Sequence, residues 1–366
     1  MKASLKFKPE VKFLNKGKKV AVGLSGGVDS SVSTALLVSA GYEVIGVNMK
    51  CWSNADGREC EADKDRKIAI QVAEKLGIEV KVWDFEKEYR QKVIDYFYKE
   101  FEAGRTPNPD IICNKEIKFG MFLDRAIKDL GVDFVATGHY ARVVKDDEVY
   151  RLLKGVDDSK DQSYFLHTLN QYQLAHSIFP VGHLLKKEVR EIAKEYDFAN
   201  YDKPDSVGIC FVGDVDIKEF LKQRIDVSQG EVVTTSGEVI GTHDGVWFYT
   251  IGQRRGFDIT KYQGKPLYVI GKDIKNNKLI VGDMVESNKI EFPISNLYLI
   301  AEDYKKMIEK ELLDIRIRHL GGLVKGKVDD NKVIAQDGSF FQGVASGQSA
   351  VFYKDDFVLG GAIIEE

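Results

Sequence analysis

The stretch KKVAVGLSGGVDSSVSTALL, residues 18–37, constrains the fold more than any other part of the chain. Its first half, KKVAVGL, is a short apolar run of the kind that a strand buried on both faces requires. Its second half carries apolar residues at helical spacing over residues 29–40 and meets Gly41, the residue type that closes helices in a left-handed conformation. Between the halves sits Ser25-Gly26-Gly27-Val28-Asp29-Ser30. Paired glycines let backbone N–H groups crowd together, and the helix N-terminus adds a favourable dipole, so the turn suits an anion. Ser25 and Ser30 add hydroxyl donors. No lysine follows the glycines, unlike the loops that hold a γ-phosphate for transfer, so a diphosphate that departs fits better. The same glycines would serve a plain strand-to-helix turn, and this stretch alone leaves both readings open.

The βα rhythm continues downstream. EVIGVNM reads as a second buried strand, residues 63–76 as a helix stopped by Gly77, and IEVKVWDF as a third strand. A long helix over 86–103, another over 114–130 stopped at Gly131, and the strand DFVATG follow. This alternation predicts an α/β domain whose parallel sheet carries helices on both faces. Residues 163–198 read as helical, with Val189, Ile192 and Ala193 at core spacing. From about residue 230 the texture changes: GEVVTT, EVIGT, VWFYTIG, KPLYVIG and KLIVG are short, β-branched and punctuated by glycine. KDIKNNKLIV, DGSFF and DDNK carry hairpin or turn signals. The closely spaced strands of the last 80 residues predict a small barrel or sandwich. The expected domains are 1–217 (its helical part about 163–217), a small central domain over 218–286 and a β domain over 287–366.

Composition narrows the function. A chain of 366 residues has room for two or three cores. A net charge of −4 argues against coating nucleic acid indiscriminately, and leaves room for a local basic surface that meets one folded RNA. No apolar stretch approaches the ~20 residues of a spanning helix. Residues 1–19 hold seven lysines and no apolar segment, and read as a solvated basic extension rather than a secretory signal. Four cysteines are too few for a disulfide scaffold and suit a cytoplasmic chain with functional or incidental thiols.

Two cysteines lie in informative surroundings, GRTPNPDIICNKEIKFG (104–120) and KPDSVGICFVGD (203–214). Cys113 falls between an Asn-Pro-Asp turn and a helix, with Asn114 as candidate N-cap and Lys115 and Lys118 adding positive potential. Such a place is expected to lower a thiol pKa. Cys210 sits in a glycine-flanked loop near Asp205 and Asp214. Burial as an inert thiol is the common fate of unpaired cysteine. Cys51 and Cys60, eight residues apart in CWSNADGREC, lack the spacing of zinc or redox pairs, and no metal is expected there.

SGGVDS resembles the pyrophosphate loop of the ATP-pyrophosphatase superfamily, whose members adenylate an oxygen, release pyrophosphate and displace AMP with a nucleophile. Together with AGRTPNPDIICNKEIKF, ATGHYAR, KDQSYFL, DSVGICFVGD, YTIGQRRGF and GQSAVFY, in order from residue 21 to about 353, the chain resembles the tRNA-specific 2-thiouridylase (MnmA/TrmU) family over nearly its whole length. The resemblance implies a Rossmann-like ATP-pyrophosphatase domain, a small middle domain and a C-terminal β-barrel that binds tRNA. The activity it implies is that of a tRNA-uridine 2-sulfurtransferase acting on the wobble uridine.

The resemblance also assigns roles. ATP, with Mg²⁺, would lie on Gly23, Leu24, Ser25, Gly26, Gly27, Val28, Asp29 and Ser30, with Met49 and Gly138 beside it. Asn108, Pro109 and Asp110 would read an everted base. His139, Lys160, Asp161, Gln162, Arg318, His319 and Gln348 would meet the tRNA, and His319 stands where the family often has tyrosine. Cys210 would carry a persulfide delivered by a partner such as a cysteine desulfurase or sulfur-relay protein. Cys113 would assist and end in a Cys113–Cys210 disulfide, with Asp110 as acid/base. The implied substrates are tRNAs for Lys, Glu and Gln. Two other chemistries use the same parts. Asp110, Cys113 and Cys210 are a ligand set for an iron–sulfur cluster, and nitrogen-inserting synthetases share the loop without needing paired cysteines. A non-catalytic RNA-binding protein would need neither.

Overall fold

The computed structural model describes residues 17–53, 61–205, 208, 210–212, 217–225, 228–262 and 264–366; Cys60, Asp214 and the basic residues 1–16 lie outside them. Its first part holds strands Lys19–Gly23 (β1), Glu43–Lys50 (β2), Glu79–Asp84 (β3), Phe134–Ala136 (β4), Ala141–Asp146 (β5), Val149–Lys154 (β6) and Ser177–Ile178 (β7). Five of these build a parallel sheet in the order β3-β2-β1-β4-β7. The apolar run Val20–Val22 is fully buried because helices cover both faces. On one face helix Val28–Ser39 (α1) packs Val28, Val32 and Leu36 against Val72 of helix Glu61–Leu76 and Val189 and Ile192 of helix Lys186–Glu195. On the other, Tyr89, Val93, Ile117, Phe119 and Phe122 enclose Ala21, Val47 and Met49. The strand order switches sides between the parallel neighbours β1 and β4, which opens a crevice at their carboxyl ends, the usual ligand position in such sheets.

Two helical runs on this second face depart from simple α geometry. The run 86–102 contains a π-helical turn at Arg90–Ile94. The run expected over 114–130 begins five residues earlier: Asn108 caps it by accepting the Ile111 N–H at 3.3 Å, and Pro109 takes the first helical position. Its stretch Cys113–Phe122 is π-helical, and it ends where Gly131 turns left-handed at φ 61°. Residues 163–198 are less helical than their apolar spacing suggested. Pro180 and Gly182 break the run into short 3₁₀ turns, strand β7 and the single longer helix at Lys186–Glu195. Gly182 passes so close to Ala141 that a Cβ there would fall 1.7 Å from its carbonyl oxygen.

The central part pairs Gly230–Val233 (β8), Val239–His243 (β9), Asp258–Ile259 (β10), Tyr268–Asp273 (β11) and Lys278–Gly282 (β12) in the order β10-β9-β8-β12-β11. VWFYTIG, expected as a strand, is a 3₁₀ turn that sinks Val246 and Tyr249 into the core. The last part adds a two-stranded clip, Asn288–Lys289 (β13) with Phe341–Gln342, and six further strands. Glu291–Leu299 (β14), Leu313–Arg316 (β15), Val324–Asp329 (β16), Lys332–Ala335 (β17), Ser349–Lys354 and Phe357–Ile364 run in an antiparallel circuit that closes from Phe357–Ile364 back onto β14. This is a closed barrel, and the hairpin β5–β6 joins its outer edge through Leu153 opposite Phe357. The expected turns at DDNK and DGSFF appear with Asp330, Asp337 and Gly338 at positive φ. Among the described residues no helix is long and apolar enough to cross a membrane.

Candidate active site

The glycine loop follows β1 directly and opens α1. Leu24 is buried, its N–H bonded to Val47 O at 2.9 Å and its carbonyl held by Asn48 Nδ2 at 2.9 Å. Gly26 has φ +87°, and a Cβ there would sit 2.1 Å from the Asp65 carbonyl oxygen. Gly27, at the cap position, has no side chain to occupy the first-turn N–H groups of α1. Those donors and the aligned dipole therefore face outward as an anion cradle. Ser25 and Ser30 hydroxyls approach to 3.2 Å, and Asn200 Nδ2 fixes the Gly26 carbonyl at 2.8 Å. Gly138, just past β4, packs so tightly on the loop that a Cβ would lie 2.7 Å from Ser30 N. Met49 closes the floor, its Cε 3.1 Å from where a Gly23 Cβ would be. Gly23–Ser30, Met49 and Gly138 thus lie together at the carboxyl ends of β1, β2 and β4, with the Leu24 and Val28 side chains turned into the core.

Asp29 leads into an ion network that motif reading missed. Lys186 Nζ bridges Asp29 Oδ1 at 2.7 Å and Asp205 Oδ1 at 2.8 Å, and Tyr140 OH donates to Asp29 Oδ1 at 2.9 Å. Asp205 also pairs with Lys160 and Arg190. Burial opposes its charge, but the Lys160 and Lys186 ammonium groups prevail and bring its pKa down to about 2. Asp205 heads the segment that carries Cys210, so the anion loop and the cysteine segment share one lysine. A lysine at a helix start reads as solvated in sequence; only the fold shows Lys186 to be buried.

Cys113 and Cys210, 97 residues apart, bring their sulfurs to 3.7 Å. Both are free thiols, as is Cys51, which is buried just past β2. The backbone of Cys210 is clamped at both ends: its N–H donates to Asp110 Oδ1 at 3.2 Å, and its carbonyl accepts from the Tyr89 hydroxyl. The two thiols differ in character. Cys210 lies below the ordinary thiol pKa because the Cys113 S–H donates to it and, against the cost of burial, the Lys118 ammonium adds attraction. Cys113 is pushed well above that value by burial and by the neighbouring Cys210 sulfur. The expectation of a dipole-activated Cys113 is therefore corrected. The helix starts at Asn108, Cys113 lies inside it, and the sulfur that gains negative charge is Cys210. Asn114 caps nothing; it is buried and donates to Phe165 O at 3.3 Å. Asp110 is raised by burial, with Lys118 and the Cys210 N–H pulling the other way. A carboxyl so placed suits proton exchange beside the thiols.

The residues expected to meet RNA divide into two sets. Arg318 is exposed, and His319 is half-buried with its ring 4.2 Å from that of Phe165 and its pKa lowered to about 4 by burial. Lys160 is half-buried in its ion pair. The others serve the protein itself. Asp161 is fully buried, accepting from Arg316 Nη1 at 2.8 Å, so it offers no surface to a partner. His139 is buried between Phe119 and Phe179 with Nδ1 2.7 Å from Thr137 Oγ1. Gln162 Oε1 accepts the Tyr140 N–H at 3.0 Å. Gln348 Nε2 donates to the carbonyls of Thr106 and Pro107, so the barrel braces the loop before Asn108. Tyr89 was not foreseen, since nothing in its sequence surroundings marks it.

Family models match the chain in order: tRNA methyl transferase HUP domain over residues 18–214, tRNA methyl transferase PRC-barrel domain over 218–283, and aminomethyltransferase beta-barrel domain over 291–364. The tRNA-specific 2-thiouridylase MnmA of Proteus mirabilis (strain HI4320) is 44% identical over 363 residues, 96% of this chain and 98% of that one. The protein of the same name from Bacillus cytotoxicus is 44% identical over 353 residues, 95% of each. Among solved structures, the U34-tRNA thiolase NcsA from Methanococcus maripaludis matches with TM-score 0.37 and 22% identity, over 54% of this chain and 63% of that one.

Proposed function

The chain belongs to the tRNA-specific 2-thiouridylase family, and from that premise we propose that it is an ATP-dependent tRNA sulfurtransferase that replaces O2 of the wobble uridine by sulfur. The observation that carries the chemistry is the 3.7 Å approach of Cys113 to Cys210, whose segment begins at Asp205, which Lys186 ties to Asp29 of the anion loop. Methyl transfer, the term in the family-model descriptions, gives such a thiol pair no task.

In this reading the N–H groups at the start of α1 hold the diphosphate of ATP while uridine O2 attacks the α-phosphate and pyrophosphate departs. Mg²⁺ bound to the phosphates would offset their charge. Cys210 carries a persulfide from a donor protein. Its terminal sulfur attacks C2, the C2–O bond breaks and AMP leaves. Cys113, having passed its proton to Asp110, then attacks Sγ of Cys210. The electron pair of the broken S–S bond stays with the transferred sulfur, which becomes the thione. The two thiols end as a disulfide, so their two electrons reduce the sulfane sulfur. If Cys113 attacks the persulfide first, the same atoms balance with sulfide as the nucleophile. The iron–sulfur alternative would use Asp110, Cys113 and Cys210 as ligands, whereas the direct 3.7 Å contact of the two sulfurs suits disulfide formation after persulfide transfer.

Substrate tRNAs for Lys, Glu and Gln, a desulfurase or relay partner and a cytoplasmic setting complete the proposal. Incubating the protein with such a tRNA, ATP, Mg²⁺ and a persulfide source should yield 2-thiouridine by nucleoside mass spectrometry, with none when ATP is omitted. No 2-thiouridine under complete conditions would end this reading. Gly26→Ala tests the nucleotide seat. A Cβ at φ +87° and 2.1 Å from Asp65 O forces the loop to move. Calorimetric ATP affinity should fall about tenfold or more, whereas an unchanged Kd would place the nucleotide elsewhere.

A further inference from the structure

The sulfur pair has a charged neighbour that the reaction as described does not use. Lys118 follows Cys113 by five residues, and in an α-helix that spacing, at 3.6 residues per turn, would turn it roughly 140° away. The segment Cys113–Phe122 is π-helical instead, with bonds reaching five residues along, so residue 118 returns over residue 113. The widened turn also brings Gly120 against the Lys115 carbonyl, where a Cβ would meet the oxygen at 2.9 Å. Lys118 is half-buried, and its Nζ lies 5.5 Å from the centroid of the ring of Phe211, the residue that follows Cys210. Phe211 itself stands at φ 67°, a conformation that aims its ring at Lys118 while Tyr89 and Asp110 fix the Cys210 backbone.

We propose that Lys118 is a positioning residue for sulfur transfer, set over the cysteine pair by the π-helical segment so that its ammonium holds negative charge on the sulfur that Cys210 carries. Burial works against that ammonium, yet the Cys210 sulfur and the Asp110 carboxylate around it outweigh the cost and raise its pKa, so it stays charged. In the resting protein the ammonium favours the Cys210 thiolate, the form that accepts a sulfane sulfur. With the persulfide formed, it lies beside the terminal S⁻ until C2 is attacked. The other titratable groups facing this point are Asp110 and Cys113 on the same helical run, Cys51 after β2, Tyr89 on the 86–102 run and His139 after β4. Burial holds His139 neutral and Cys51, Cys113 and Tyr89 protonated, leaving Asp110 to offset part of the lysine's effect.

This inference rests on the sulfur-transfer reading, but its test does not need the tRNA. Iodoacetamide modification of Cys210, followed by peptide mass spectrometry from pH 5 to 10, reports the midpoint of thiolate formation in the full-length protein. The parent should react with a midpoint below that of an ordinary thiol. Lys118→Met should move that midpoint upward by about one pH unit or more, and Lys118→Arg should restore most of the shift. Should Lys118→Met fail to fold, as judged by its melting temperature, Lys118→Gln takes its place. A midpoint unmoved in the uncharged variant, or equally raised in Lys118→Arg, overturns the proposal. If the midpoint moves while the parent makes no 2-thiouridine, the thiolation reading fails and the charge role on Cys210 stands.

Discussion

Cys210→Ser is expected to remove 2-thiouridine formation by at least about 10³-fold, the scale seen when an essential nucleophile is deleted, while ATP still binds with its normal affinity. The serine is nearly isosteric and keeps the Tyr89 and Asp110 clamps, because both act on the backbone of residue 210. What it cannot do is carry a sulfane sulfur. Cys113→Ser should be as inactive in turnover for a different reason. Without an attacking thiol 3.7 Å away, direct transfer stalls after AMP leaves, with RNA bound to Cys210 through C2–S–S–Cys. That adduct should run as a shifted band in a denaturing gel and disappear with dithiothreitol. A shifted band supports direct attack by the persulfide. Its absence, with activity still lost, supports release of sulfide by Cys113. Normal 2-thiouridine yield from either variant would remove the pair from the mechanism.

The parallel sheet, the anion loop and the β-rich third part were legible because each leaves a local trace, whereas the choice between barrel and sandwich rests on the pairing of β14 with Phe357–Ile364, far apart in the chain. Buried parallel strands read as unbroken apolar runs, the loop needs glycine, and hairpins need turn residues. What escaped depends on contacts between distant segments. The joining of Lys186 to Asp29 and Asp205 spans 157 residues on one side, and no local pattern encodes it. The π-helical segment was equally hidden, since its apolar residues Ile117, Phe119 and Phe122 suit an α-helix too. That shift of period decides which side chain stands beside the sulfur. It also changes which thiol favours the charged form: the Cys113 S–H and the Lys118 ammonium lower the Cys210 pKa, while burial inside the run raises that of Cys113.

Asp161 illustrates the opposite error, a polar motif residue assigned outward that faces inward, and its replacement carries the largest stability prediction. One carboxylate oxygen accepts the N–H groups of Gly155 and Ser163 at 3.1 Å each, and the other meets Arg316 Nη1 at 2.8 Å. Asp161 belongs to the first part of the chain and Arg316 to β15, so this buried pair ties the catalytic part to the barrel. Arg316 also lies over the buried Tyr353 ring, its Cζ 5.3 Å from the centroid. Asp161→Ala would strand a guanidinium in an apolar joint and orphan two N–H groups, a loss of about 3–5 kcal/mol. Thermal unfolding should drop by about 10 °C. The double replacement Asp161→Leu with Arg316→Met should recover much of that loss, because a matched apolar pair has no stranded charge. A residue whose task was to touch tRNA would show the reverse pattern, weaker RNA binding at an unchanged melting temperature. Melting within a degree of the parent would therefore mean that Asp161 does not hold the barrel in place.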